Sequence, residues 1–229
     1  MKYFICLLLF CFIFSVAEAR YVYPKGAKTE TEQRVDRRMK RYDSNGDGEL
    51  SFEDYLKYRE SEEQSFDDFR RMNVDKMIKS VSDALKAMLK ETGKKVQFGI
   101  SPFAVYRTHS SIVENGWDKG SYNAASALQC YSELYSDVYK WMKEGWIDYV
   151  VPQNYFSFER RDVTYHDVAW WWSNICKETN TILYMGQGIY HLGASEGWGF
   201  ETWQNPEEIN NQLKFNWNFE NIKGTIFFT

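Results

Sequence analysis

Four short apolar runs, separated by stretches with helical spacing, restrict this chain more than any other feature. They read "KVQFGISPF", "WIDYVVPQNYF", "TILYMGQGIY" and "GTIFFT". A run that is apolar throughout suits a strand covered on both faces, and parallel sheets are covered that way. The intervening stretches supply the cover. In "RRMNVDKMIKSVSDALKAMLKETG", Val74, Met77, Ile78, Val81, Leu85, Met88 and Leu89 recur at helical spacing, and Gly93 stops the helix. Further helices are expected over about 124–144 and in "VTYHDVAWWWSNICKET". A last one, "NPEEINNQLKFNWNFE", has Pro206 near its first turn and Glu207 and Glu208 at its positive end. The expected class is α/β, with about four βα units forming a half-barrel or a small doubly wound sheet. No glycine-rich phosphate loop follows a strand, which disfavours a nucleotide-binding sheet.

The segment ahead of these units has a different character. "MKYFICLLLFCFIFSVAEAR" opens on Lys2, continues through an apolar stretch from Ile5 to Val16, and ends on the small-x-small site Ala17-Glu18-Ala19. This is the form of an export signal over residues 1–19, too short for a comfortable membrane span. Secretion is therefore expected, with no membrane span once the signal is removed. Residues 20–31 read as a polar leader, 32–58 as helix-loop-helix, and 59–67 as a charged linker, leaving 68–229 for the α/β part. Cys6 and Cys11 depart with the signal. Cys130 and Cys176 remain, and their spacing fits a disulfide and two buried thiols equally. A net charge of −4 leaves no electrostatic footprint for nucleic acid. The 9 Trp, 16 Tyr and 16 Phe supply flat apolar faces suited either to sugar rings or to core packing.

The helix-loop-helix surrounds "DSNGDGELSFED", Asp43 to Asp54. Asp43, Asn45, Asp47, Ser51 and Asp54 occupy loop positions 1, 3, 5, 9 and 12, and Glu49 at position 7 offers its backbone carbonyl. Calcium is a hard cation needing an oxygen cage, and Gly48 at position 6 permits the sharp turn. The stretch resembles the EF-hand family, with Val35, Met39 and Tyr42 before the loop and Phe52, Tyr55 and Leu56 after it. That resemblance implies a Ca2+ site. The shorter Asp54 at position 12, where glutamate is usual, weakens calcium binding or favours the smaller Mg2+.

Several phrases of the α/β part agree together with one family. They are "DFRRMNVDKMIKSVSDALK", "VQFGISPFAVYR", "YSDVYKWMKEGWIDYVVPQNYF", "WWW", "ILYMGQGIY" and "NPEEINNQLKFNW…IKGTIFFT". In this order they resemble the glycosyl hydrolase-like 10 family, exported or lipid-anchored proteins built on a (β/α)8 barrel. The resemblance runs from about residue 68 to 229 and implies a partial (β/α)8-type barrel acting on glycan, peptidoglycan-type strands above all. Family members carry an N-terminal half-barrel with an Asp-Asp-Tyr type strand end, where this chain has signal, leader and EF-hand. "SFEDY" echoes that motif, but the metal loop accounts for Glu53 and Asp54 better, because no apolar strand precedes them. An open half-barrel calls for a partner chain or a dimer to cover it.

In such a barrel the active face lies at the C-terminal strand ends. Those ends bring forward Tyr106 and Arg107, then Gln153 and Tyr155, then Gln187 and Tyr190, with Trp203 in the following loop. Amides bond hydroxyls and aromatic faces cover apolar sugar edges, so these are the expected substrate-binding groups. Glycoside hydrolysis needs two carboxyl groups, and none stands at a strand end. Asp148, inside the most specific phrase, is the catalytic candidate, although it falls at the start of its strand, where a capping or salt-bridge role competes. Three readings follow: a secreted metal- and glycan-binding protein incomplete for catalysis, an active glycoside hydrolase, and a truncated or fused gene product.

Overall fold

The first three apolar runs become parallel strands that carry buried residues onto a layer of helices, whereas the fourth, Ile222–Phe228, pairs as a strand with no fully buried residue and leaves Ile226 and Phe227 38% and 46% exposed. The computed structural model of the chain describes residues 3–7 (backbone), 65–109, 120–124, 126–195 and 199–229. In chain order the elements are β1 (Tyr3–Leu7), α1 (Phe66–Thr92), β2 (Val96–Ile100), α2 (Val138–Lys143), β3 (Tyr149–Val150), α3 (Tyr165–Thr179), β4 (Ile182–Gly188), α4 (Glu208–Asn216) and β5 (Ile222–Phe228). Two 3-10 turns, Ile189–His191 and Phe200–Trp203, lie between β4 and α4. The chain divides into two units, Met1–Phe10 with Val74–Thr229, and Cys11–Asn73. Of the second, the described residues are 65–73.

All strands are parallel and lie in sequence order, β1-β2-β3-β4-β5. The expected α/β class and the four strands from β2 to β5 are thus present, an arrangement consistent with part of a barrel. Tyr3–Leu7 adds a fifth strand, in register with Val96–Ile100. These residues fall inside the segment read as an export signal, so cleavage after Ala19 would leave β2 at the sheet edge. The metal loop, residues 43–54, lies outside the described residues.

Local chemistry sets the helix limits. Ser65 Oγ accepts from the Asp68 N–H (3.1 Å) and donates to the Asp68 carboxylate (2.7 Å), starting α1, and Gly93 at φ +68° stops it. Ile78 is fully buried and Val74, Val81 and Leu85 pack beside it, as their spacing predicts. Met77 and Leu89, expected on the same stripe, are 45% and 39% exposed. Asp75 occupies the buried face instead, accepting from the Trp141 indole N–H (2.5 Å) and the Lys140 ammonium (2.6 Å), which ties α1 to α2.

The helix expected over 124–144 is mostly absent. Only Val138–Lys143 is helical, capped by the Asp137 side chain, which accepts from the Lys140 N–H. Upstream, Tyr135 takes a left-handed φ of 51°, and the Cys130 and Tyr131 amides donate to the Val105 and Tyr106 carbonyls. These long-range bonds take the donors that a helix would use. By contrast α3 fills its predicted span, with Thr164 as N-cap and Asn180 in left-handed conformation at its end. The core between helices and sheet includes Trp141, Trp172, Tyr165, Val150, Leu183 and Met185, and the Trp172 indole donates to the Ala104 carbonyl (2.7 Å). Cys130 and Cys176 are both buried there and are not joined in a disulfide, which decides between the two readings of their spacing.

The opposite sheet face is built from rings set against glycines. Tyr149 meets Tyr184 edge-to-face at 5.8 Å. Gly99 is the register partner of Tyr149, and a Cβ at Gly99 would enter that ring; a Cβ at Gly224 would touch Tyr184 at 3.4 Å. Gly99→Ala is therefore expected to destabilise the chain by about 1–3 kcal/mol. The urea midpoint measures this, and combining the change with Tyr149→Val should recover part of the loss.

Candidate functional site

β3 is two residues long in the ladder, yet the chain beyond it stays between its neighbours. The Val151 and Gln153 amides donate to the Ile100 and Pro102 carbonyls (2.8 and 2.9 Å), and the Gly186 amide to the Pro152 carbonyl (3.1 Å). Phe103, Gln153 and Gly186 form a row of bridges across the three strand ends. This fixes Gln153, whose side-chain amide donates to the Ser101 carbonyl (3.0 Å) while the Ser101 hydroxyl donates to the Val151 carbonyl (2.8 Å).

Aromatic side chains gather past this row. Tyr155 lies edge-on to Tyr190 at 6.0 Å and tilted to Phe228 at 5.1 Å. His191 lies 4.1 Å from the Tyr190 ring and stacks on Trp203 at 5.1 Å. The absent side chain of Gly188 makes this possible, since a Cβ there would sit 3.0 Å from Tyr190, 3.2 Å from His191 and 3.2 Å from Tyr155. Tyr190 is 52% exposed. Partial burial raises the Tyr155 and Tyr190 phenols and lowers the His191 imidazole, with the Arg160 charge adding to the His191 shift.

Beneath the strand ends lies a buried polar layer. The Gln187 side-chain N–H donates to the Gln212 carbonyl oxygen (2.8 Å), and Gln212 donates to the Phe156 carbonyl (3.0 Å) and to Glu208 (2.8 Å). Glu208 is 2% exposed and also accepts from the Phe158 amide (2.9 Å). Its carboxylate holds the loop after β3 against α4. Sequence reasoning placed Glu208 at a helix start and missed this role, because helix-start acids are usually solvated.

The substrate-binding expectations divide accordingly. Gln153 lies in the bridge row at the strand ends, and Tyr155 and Tyr190 meet just past it. Tyr106 does not join them: it is 2% exposed and its hydroxyl donates to Asp137 (2.7 Å), with burial raising the phenol and the neighbouring carboxylate adding to it. Burial likewise raises the Asp137 carboxyl. Arg107 lies over the Tyr131 ring at 4.3 Å. Gln187 is buried against α4, and Trp203, expected as an open stacking surface, is 1% exposed beneath His191. Asp148, the catalytic candidate, lies at the N-terminal end of β3, away from the strand-end groups. Its carboxylate accepts from the Phe98 amide (2.8 Å), its own amide donates to the Phe98 carbonyl (2.6 Å), and its carbonyl accepts from Ile182 (3.2 Å). That placement gives it a strand-joining role. His191 and Phe228 are not in the expected set; the signal for them is that His191 closes the turn after β4 and Phe228 ends β5. Among the described residues, no group of three His, Cys, Asp or Glu side chains is placed to hold a metal, and no helix is long and apolar enough to cross a membrane. Asp43, Asn45, Asp47, Glu49, Ser51 and Asp54 lie outside the described residues.

Comparison with known proteins agrees with this architecture. The family profile described as glycosyl hydrolase-like 10 matches residues 33–200. The match starts ahead of the boundary at 68 read from the sequence, and so takes in residues assigned to the metal loop and linker. Glycosyl hydrolase YngK of Bacillus subtilis (strain 168) is 34% identical over 176 residues, 76% of this chain and 32% of that protein. Glycosyl hydrolase DigH of Escherichia coli (strain K12) is 33% identical over 163 residues, 70% of this chain and 35% of that protein. The chain thus spans about a third of the length of these curated relatives.

The His191 shift has a consequence for stability. Its imidazole is held below the usual 6.5 in the folded chain, so the unfolded chain binds more protons between the two values. Stability from this residue is full above about 6.5 and is lost as pH falls through the folded value. Thermal midpoints measured from pH 8 to pH 5 should fall less steeply in His191→Gln than in the parent chain.

Proposed function

The chain belongs to the glycosyl hydrolase-like 10 family, and from that footing we propose that it is a secreted glycan-binding protein carrying a divalent-cation site. The observation that carries the glycan reading is the meeting of Tyr155 with Tyr190 just past the bridges of Gln153 at the C-terminal strand ends, where barrel folds keep their ligand sites. An amide and open phenol rings suit hydroxyl-rich rings with apolar edges. Peptidoglycan-type strands are the glycan that the family resemblance favours.

Binding is preferred to cleavage on the chemistry of the described residues. Hydrolysis takes a carboxylic acid to protonate the leaving oxygen and a second carboxylate to attack or to activate water. Asp137 accepts from Tyr106, Glu208 accepts from Phe158 and Gln212, and Asp148 bonds Phe98 at the far end of the strands. Each is committed to an internal bond. A second reading, cleavage of the same glycan, is favoured by the relatives, which are named glycosyl hydrolases. Secretion rests on the form of residues 1–19, and a dimer or partner chain would cover the open sheet.

Co-sedimentation of the full chain with denuded peptidoglycan strands tests the first reading. Retention is expected, with Tyr155→Ala weakening it about tenfold. Passage of the parent chain into the supernatant would contradict the glycan reading, whereas shortened glycan chains would establish the second.

The oxygen donors of Asp43, Asn45, Asp47, Glu49, Ser51 and Asp54 fit a hard cation by type and spacing. Calorimetry is expected to give Kd values of about 0.1–1 mM for Ca2+, the range of extracellular modules. Asp54→Glu should tighten Ca2+ relative to Mg2+, and heat unchanged by Asp43→Ala would remove the site.

A further inference from the structure

Resting on the strand-end glycan reading, we propose that Tyr155, Tyr190 and His191, gathered over Gly188, form a subsite for one uncharged pyranose ring, with His191 as its hydrogen-bonding residue. The first support is shape. Gly188 is the register partner of Phe228, and the Tyr155 ring lies 5.1 Å from the Phe228 ring. Tyr190 and His191 close on the same point, at 3.0 and 3.2 Å from where a Cβ would stand. Two rings and the Tyr155 Cβ therefore surround one backbone position, and Tyr190 presents half its surface to solvent.

The second support is the state of the polar groups. Elsewhere the tyrosine hydroxyls of Tyr106, Tyr139 and Tyr165 each donate to a named side chain. The hydroxyls of Tyr155 and Tyr190 and both His191 ring nitrogens make no hydrogen bond to the described residues. Trp203, buried beneath, stacks on the imidazole and acts as a positioning residue by fixing its plane. A neutral imidazole offers one donor and one acceptor, which matches a sugar hydroxyl that both gives and receives. Burial and the Arg160 charge favour that neutral form.

The third support is charge. Tyr155, Tyr190, His191, Phe228 and Gly188 bring no formal charge to the subsite. Arg160, the cation that reaches His191, is held by Asp162 through Nε (2.7 Å) and Nη2 (2.9 Å). An anionic sugar would meet a cation already neutralised, and a cationic sugar would meet none of its opposite sign.

Calorimetric titration of the full chain with an N-acetylglucosamine tetramer, a glucose tetramer and a galacturonate tetramer tests the assignment. At least one neutral tetramer should bind, and the uronate at least about tenfold more weakly. His191→Ala and Tyr190→Ala should each weaken neutral binding about tenfold, while His191→Gln, which keeps a donor and an acceptor, should stay within about threefold. Thermal midpoints of the variants separate loss of binding from loss of fold. Gly188→Ala should also lose binding, as the rings are pushed apart. Neutral binding that survives both His191→Ala and Tyr190→Ala overturns the subsite but leaves the glycan reading of the face. Tighter uronate binding overturns the uncharged class, and binding of none of the three overturns the subsite together with the glycan reading.

Discussion

The register of the short central strand β3 against β2 and β4 rests on Asp148. Its backbone amide and carboxylate both engage Phe98 on β2, and its carbonyl receives the amide of Ile182 at the start of β4. A strand with only Tyr149 and Val150 in the ladder has little register information of its own. A slip by one residue would turn Tyr149 toward the helices and Val150 away from them. Three bonds from a single residue prevent that slip, and the bridges at Gln153 repeat the restraint at the other end. The strand-end residues Gln153 and Tyr155 are thus aligned by a residue at the opposite end of β3.

Two chemistries divide the sheet's faces. Toward the helices the strands contribute Val150, Leu183 and Met185 to a dry core, with Gln187 and Glu208 joined through Gln212 at its upper margin. On the other face glycines admit rings: Gly99 admits Tyr149, Gly224 admits Tyr184, and Gly188 admits Tyr155, Tyr190 and His191. The same device that fills the middle of the face opens a ring-lined surface at its end.

Periodicity carried the elements well where burial alone decides them. α1 and α3 span their expected stretches because Ile78, Val168 and Trp172 recur on a face that is in fact covered. It failed at 124–137, where Tyr135 and the backbone bonds to Val105 and Tyr106 are products of tertiary contact. The site was half legible. Position after a strand identified Gln153, Tyr155 and Tyr190, but the same rule brought in Tyr106, Gln187 and Trp203, which point inward. Residue type cannot reveal which way a side chain faces once the strand has ended. Glu208 escaped notice for the converse reason, since its partners Phe158 and Gln212 are neighbours only in space or on the far turn of α4.

The two thiols described in the core have a bearing on how this unit is made. Cys130 is buried and donates to the Phe103 carbonyl, and burial pushes the Cys176 thiol well above its ordinary range, which disfavours its thiolate. Burial of Cys130 and Cys176 as thiols then calls for no oxidant. The protein should reach the same native state from a reducing expression host as from an oxidising one, an advantage for producing it in quantity.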